Sequence, residues 1–343
     1  MTDLQRWTTT TGPHRVTIND VAREAGVSVA TVSKVINGRY GVAVSTSERV
    51  QQVIDDLGYE SSLVARSLRS HRTNVIGILV AEFEPFSTEI LKGTSQAITD
   101  TGYELLAYSG GGRAGTSVGW ERRYLSRLSG TLIDGAILVT PTVVEPGGSV
   151  PVVAIDPHAG PAGMPTVDSD NFAGASTATR YLLGLGHRRI GFLGGRPDLE
   201  SSRQREDGYR SALAEAGVAV DPDLMRVGGY RRASTVEPAR ELLTRPDRPT
   251  ALFAANDLSA LGVMDAAAAL GLTIPDDVSL VGFDNIPESA LTTPPLTTIH
   301  QPIQQMGAAA VDLLVHLMDG SGDRDTHVRL PTDLVERGSA RAL

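Results

Sequence analysis

Cysteine is absent from the 343 residues, which excludes a disulfide scaffold, a Cys-ligated zinc or cluster site and a cysteine nucleophile, and fits a reducing compartment. No apolar run approaches the roughly 18 residues that a membrane span requires. The first fifteen residues, MTDLQRWTTTTGPHR, lack a signal-peptide core, so a soluble cytoplasmic protein with a disordered tail over 1–15 is expected. Histidines 71, 158, 187, 300, 316 and 327 are scattered without metal-ligand spacing, and no metal or cofactor is expected. Basic residues are in deficit, with 31 Lys+Arg against 40 Asp+Glu and a net charge of −9. The deficit is uneven: residues 1–73 balance to +2 and the rest to −11. DNA would repel the acidic bulk but not the head. Because the head is only mildly basic, phosphate binding there must rely on placed groups and on doubling in a dimer.

What the head does contain is two short amphipathic segments around a turn, in VTINDVAREAGVSVATVSKVING (16–38). Thr17 and Asp20 form a start signal for a helix opening at Ile18, with Val21, Ala22 and Ala25 turned inward. Gly26 ends it. Ser28 then caps a second helix whose buried positions are Val32, Val35 and Ile36, leaving Val29, Ala30, Ser33, Lys34 and Asn37 outward. This is a helix-turn-helix pattern, whose second helix fits a DNA major groove. Ser45 and Glu48 form a capping-box pattern for a third helix, buried through Val50, Val53, Ile54 and Leu57.

The sequence SSLVARSLR (61–69) follows. Together, IND-VA-x-x-AGVS-x-ATVS-x-VING, GY and VARSL closely resemble the LacI/GalR family of bacterial transcription repressors, and the resemblance runs from the head to the C-terminus.

Beyond the head, NVIGILV (74–80) is a β-branched apolar run suited to a parallel sheet buried on both faces. Strand and helix patterns then alternate without hairpins to Gly282, enough for two sheets of five or six strands, which predicts two Rossmann-like doubly wound subdomains. The resemblance sharpens this to an all-α helix-turn-helix head plus an α/β core like a periplasmic binding protein. It implies chain crossovers near Asp170–Ala173, Pro294–Pro302 and Thr326–Pro331. The expected domains are a helix-turn-helix domain (16–60), a hinge helix and linker (61–73) and an effector core (74–343). The core would divide into an N-subdomain (about 74–171 and 301–328) and a C-subdomain (about 172–300 and 329–343), with Val328–Val335 ending in the second. Without a terminal heptad repeat, a homodimer is expected rather than a tetramer.

By the resemblance, Val29, Ala30 and Lys34 occupy base-reading positions: Lys34 can donate to guanine acceptors, and the two small residues can meet thymine methyls. They can equally be plain surface residues. Thr17, Ser28, Thr31, Ser33 and Asn37 are assigned to phosphates. The segment 62–69 is too short for an isolated helix, so it needs a partner to fold. The family's hinge helix would place Ala65, Leu68 and Arg69 at the minor groove, with Leu68 as the wedge. A linker helix packing Leu63 and Leu68 on the core is the plainer alternative.

Ligands of open α/β sheets bind at the carboxyl ends of the strands, where Asp, Asn and Arg suit vicinal hydroxyls. Arg205, Asn256 and Asp284 match effector-contacting positions of the resembled family, with Asn171 a looser match. Phe86 and Tyr230 are the aromatic candidates, although Tyr230 also suits a core. Asp257 is expected to cap the helix after it, and Arg203 to serve as an ion-pair partner. Two enzyme-like strings occur. Gly110-x-Gly112-x-x-Gly115 lacks the acid that should end the next strand, because Asp134 precedes that strand. Ser117, in Gly115-x-Ser117-x-Gly119, lies too far past its strand to be a nucleophile elbow. The expectation is a non-enzymatic repressor on a pseudo-palindromic double-stranded DNA operator, released by a sugar or oligosaccharide. A purine co-repressor is the alternative mechanism, and a sugar-binding transport protein the alternative class.

Overall fold

The computed structural model describes residues 16–36, 40–59, 72–111, 118–161, 163–323 and 326–343. The chain divides into two compact units, Met1–His71 and Arg72–Leu343.

The first unit contains α1 (Ile18–Glu24), α2 (Val29–Ile36) and α3 (Val44–Leu57). The start of α1 is fixed by Asp20, whose carboxylate accepts from the Thr17 backbone at 2.9 Å and hydroxyl at 2.7 Å. Those bonds favour the ionised form and hold the Asp20 pKa down to about 2. Gly26 makes the turn at φ 63°. The Ser28 hydroxyl then accepts from Thr31 N at 3.1 Å, capping α2. Val21, Ala22, Ala25, Val32 and Val50 form the core, with Val35, Ile36, Val53, Ile54 and Leu57 packed against it. The capping box expected at Ser45 and Glu48 is not the start of α3. That helix begins at Val44 with Ala43 ahead of it, which puts the Ser45 hydroxyl inside the first turn.

In the second unit the strands are β1 (Val75–Val80), β2 (Glu104–Ser109), β3 (Gly135–Val139), β4 (Val152–Ile155), β5 (Thr166–Ser169), β6 (Ile190–Gly194), β7 (Met225–Val227), β8 (Ala251–Ala254), β9 (Ser279–Asp284), β10 (Thr297–His300), β11 (His327–Leu330) and β12 (Asp333–Val335). They form two six-stranded sheets, β11-β5-β4-β3-β1-β2 and β12-β10-β9-β8-β6-β7. All pairings are parallel except β10 with β12. Residues in β1, β3, β4, β6, β8 and β9 are buried throughout, as expected where helices cover both faces. The helices are α4 (Pro85–Ala97), α5 (Trp120–Leu128), α6 (Asn171–Gly184), α7 (Glu200–Glu215), α8 (Arg232–Leu243), α9 (Asp257–Ala269) and α10 (Ile303–Met318).

The chain passes between sheets three times: after β5, after β10, and between β11 and β12. The expectation that Val328–Val335 ends in the second subdomain is corrected. Residues 327–330 pair with β5 in the first sheet, and Pro331 and Thr332 separate them from β12 in the second. A proline cannot donate to a strand ladder, which is why the strand breaks there. Helix α10 packs on the first sheet through Ile303, Met306, Ala310, Val311 and Leu314. It meets α4 at glycines: a Cβ on Gly93 would lie 1.9 Å from the Gln304 carbonyl oxygen, and one on Gly307 2.5 Å from that of Ile90. Among the described residues no helix is long and apolar enough to cross a membrane.

Candidate functional site

In the first unit, burial of Val32 turns the opposite face of α2 outward. Val29, Ala30 and Lys34 are all exposed on that face, with Val29 at 40% exposure, high for a valine. Ser28 is exposed, and Thr31 and Ser33 are half-buried beside it. Thr17 is exposed too, but its hydroxyl proton is committed to Asp20, so a phosphate would have to compete with that carboxylate. Asn37, Ala65, Leu68 and Arg69 lie outside the described residues, as do Gly112, Gly115 and Ser117.

In the second unit a cleft of about 990 Å³, its open mouth included, is walled by the carboxyl ends of seven strands from both sheets. The segment after β1 contributes Glu82, Glu84 and Phe86; β3 is followed by Thr140 and Thr142, and β4 by Asp156 and His158. From the other sheet come Arg196, Leu199 and Ser201 after β6, Tyr230 and Arg231 after β7, Asn256 and Leu258 after β8, and Asp284 and Ile286 at the end of β9. Four of these have left-handed backbones: Thr140 at φ 47°, Asp156 at 48°, Tyr230 at 64° and Asp284 at 111°. Such conformations cost about 1–3 kcal/mol each in a non-glycine residue, and strain of this kind concentrates at functional sites.

Arg205 reaches the cleft from α7 and is 3% exposed. Its Nε donates to Asn171 Oδ1 at 2.8 Å, and its Nη1 to the Ala255 carbonyl and to Asp284 Oδ1 at 3.3 Å. The guanidinium stacks on Phe283, 3.7 Å from the ring centroid, with the Tyr230 ring at 5.4 Å. Tyr230 in turn fits only because residue 195 is glycine, where a Cβ would come within 2.3 Å of the ring. The buried Tyr230 hydroxyl has no hydrogen bond of good geometry among the described residues, with Ser201 close enough to influence it.

Burial pushes the Asp156 carboxyl up to about 6 against the pull of Arg205, and Asp284 rises to about 6 for the same reason. Glu84 is raised by burial as well. His158 is lowered by burial and by the Arg196 charge, which favours the neutral ring. Every arginine lining the cleft holds a carboxylate: Arg205 that of Asp284 at 3.3 Å, Arg196 that of Asp198 at 2.6 Å and Arg231 that of Glu82 at 2.8 Å. The Arg231–Glu82 pair joins the two subdomains across the cleft.

Phe86, Arg205, Tyr230, Asn256 and Asp284 therefore converge on one cavity. Asn171 does not reach it. It is 1% exposed and sits behind Arg205, held by its own Nδ2 donating to the Ser169 carbonyl at 3.1 Å. The cap expected of Asp257 belongs to Asn256, whose Oδ1 accepts from Ser259 N at 2.9 Å. Asp257 is instead fully buried, accepting from Thr298 Oγ1 at 2.6 Å and Ile286 N at 2.9 Å. Its pKa is driven well above the usual range by burial and by the Asp284 charge. Arg203 pairs with Glu200 at 2.7 Å. Sequence reasoning missed Thr140 and Asp156, although both directly follow strands and the rule that found Asp284 reaches them. Trp120 opens a helix far from any strand end, and no local signal marks it.

The description "Bacterial regulatory proteins, lacI family" matches residues 17–62, and "Periplasmic binding protein-like domain" matches residues 179–340. The transcriptional repressor PurR of Photobacterium profundum is 34% identical over 337 residues, covering 95% of this chain and 99% of that protein. The chain belongs to the LacI family. The ribose operon repressor of Escherichia coli (strain K12) is also 34% identical, over 94% of this chain and 99% of that one. Among solved structures, a complex of the transcriptional regulator CelR with cellobiose is 32% identical with a TM-score of 0.71, over 95% of this chain and all of that one. The Lac repressor dimer bound to operator and the anti-inducer ONPF is 27% identical with a TM-score of 0.82, over 96% of this chain and all of that one. This LacI-family protein is a DNA-binding transcriptional repressor with an effector-binding core.

Proposed function

We propose that the protein acts as a homodimer on a pseudo-palindromic operator and is released by a neutral sugar or short oligosaccharide bound between Asp156 and Asp284. The observation that carries this reading is the chemistry the cleft offers. Its Asp156, Asp284 and Glu84 carboxylates are acceptors, which suit a ligand rich in hydroxyl donors. The amides that would read the edge of a purine are committed: Asn171 to Arg205 and Ser169, and Asn256 to Ser259 and Tyr230. Each cleft arginine already holds a carboxylate, which disfavours a phosphorylated ligand. The cellobiose named with CelR fits the same reading.

Because the cleft takes residues from both subdomains, a ligand touching both favours one closure angle. It shifts operator affinity only by its difference in affinity between the two states, and the coupling is reciprocal. Base reading rests with Val29, Ala30 and Lys34, and phosphate contacts with Ser28, Thr31 and Ser33. Strained, ionisable residues in a cleft also occur in enzymes, but here they serve binding, in a protein acting in the cytoplasm. The test is operator binding by the purified protein, using DNA upstream of its own gene, titrated with mono- and disaccharides and with hypoxanthine and guanine. Release by a saccharide supports the proposal. Tightening by a purine replaces it with a co-repressor mechanism.

A further inference from the structure

Two chemically different groups line the cleft. Arg205, Asp284 and Tyr230 form one, where the charged pair can grip a sugar's vicinal hydroxyls. Trp120, whose chain neighbours bond Thr142, belongs to the other. Resting on the sugar reading above, we propose that Trp120 is the platform for a second sugar ring, so that the effector is a disaccharide or longer.

The geometry around Trp120 is built to hold the indole still. It is the first residue of α5 and only 5% exposed. On either side its neighbours grip Thr142: Gly119 N donates to Thr142 Oγ1 at 2.8 Å, while Glu121 accepts from Thr142 N at 2.6 Å and from its hydroxyl at 3.0 Å. Glu121 is fully buried, a costly use of a carboxylate whose result is to clamp the start of the helix against the cleft wall. Tyr124 packs edge-on against the indole at 5.7 Å between centroids, and Tyr108 packs against Tyr124 in a tilted contact at 4.4 Å. An aromatic face fixed in advance binds a ring without first losing rotamer freedom. Asp156 lines the same cleft, within reach of the Arg205 charge.

The sequence supplies the probe, because it contains only two tryptophans, Trp7 and Trp120. In the full-length Trp7→Phe protein all tryptophan emission reports on Trp120. Cellobiose, maltose, xylobiose, glucose, xylose, ribose and hypoxanthine are titrated by calorimetry and by emission. At least one disaccharide is expected to shift the emission and to bind about tenfold or more tighter than its constituent monosaccharide. Trp120→Ala should then lose about tenfold for that disaccharide and leave the monosaccharide within about twofold, while Trp120→Phe recovers most of the loss. Operator binding without ligand reports that both variants are folded. A monosaccharide that binds as tightly as every disaccharide, or saturation by a sugar without any change in emission, overturns the second-ring site while keeping the sugar reading. Binding by hypoxanthine alone, or by no saccharide of the panel, overturns the sugar reading itself and the site with it.

Discussion

The Ser169 hydroxyl donates to Gln301 Oε1 at 2.6 Å, joining two of the points where the chain leaves one sheet for the other. Gln301 Nε2 continues to Asp284 Oδ1 at 2.8 Å, Asp284 to Arg205 at 3.3 Å, Arg205 to Asn171 at 2.8 Å, and Asn171 back to the Ser169 carbonyl at 3.1 Å. A closed ring of buried hydrogen bonds thus ties the crossovers to the cleft, and in such networks each bond polarises the next.

The ring predicts that Gln301→Leu, which keeps the volume but removes both bonds, lowers stability by about 1–3 kcal/mol. It should also shrink the ligand-dependent change in operator affinity while the ligand still binds. Unchanged coupling in paired calorimetric and operator titrations would show that the crossovers are not joined through this residue.

Arg205 and Asp284 are a buried ion pair, with side chains 4% and 7% exposed. Arg205→Ala leaves the Asp284 carboxylate uncompensated and should cost about 3–5 kcal/mol, along with all response to the effector. Adding Asp284→Ala should restore part of the stability and none of the response, since both groups line the cleft. A double-mutant cycle in urea measures the coupling; additive losses would mean the pair does not interact.

The raised Asp156 and Asp284 carboxyls make two pH predictions. Their folded pKa values near 6 exceed the unfolded value near 3.8, so folding takes up protons between those limits. Their stability contribution is therefore greatest below about 4 and is lost as pH rises to about 6. Sugar hydroxyls donating to these carboxylates favour the ionised form, so ligand affinity should fall as pH drops below about 6. Asp156→Asn should flatten part of that profile. An affinity constant from about pH 5 to about pH 7.5 would remove both carboxylates from the contact.

Gly195→Ala places a methyl within 2.3–2.5 Å of the Tyr230 ring. The ring must shift from its place in the cleft wall, so ligand affinity should drop about tenfold or more while operator binding of the free protein stays near normal. Unaltered ligand affinity would show that Tyr230 is only a packing residue.

Lys34→Ala should weaken operator binding by about 1–3 kcal/mol and binding to random DNA much less, because a base contact distinguishes sequences and a phosphate contact does not. Equal losses on both DNAs would reassign Lys34 to the backbone.

The helix-turn-helix was readable from the residues because its determinants are local: Thr17 and Asp20 start α1, Gly26 turns the chain, Ser28 caps α2, and the burial of Val32 decides which face stays outward. The doubly wound sheets were readable because continuous apolar runs such as VIGILV are tolerable only where both faces are covered. Arg205, Asn256 and Asp284 came from the resemblance together with the strand-end rule. Their division of labour did not, since whether Asn256 or Asp257 caps α9 depends on Ile286 and Thr298, which reach Asp257 from 29 and 41 residues away.

The sequence alone determined most of the helices and strands as far as Gly282, since capping and burial periodicity act over a few residues, but not the short strands β5 and β10 beside the crossovers. Only the tertiary structure decided which of those segments share a cleft, that Asn171 stands behind Arg205 rather than beside it, that β11 belongs to the first sheet, and that Trp120 lines the cleft. Each of these depends on elements far apart in the chain meeting in space, and side-chain chemistry carries no record of that until the chain is folded.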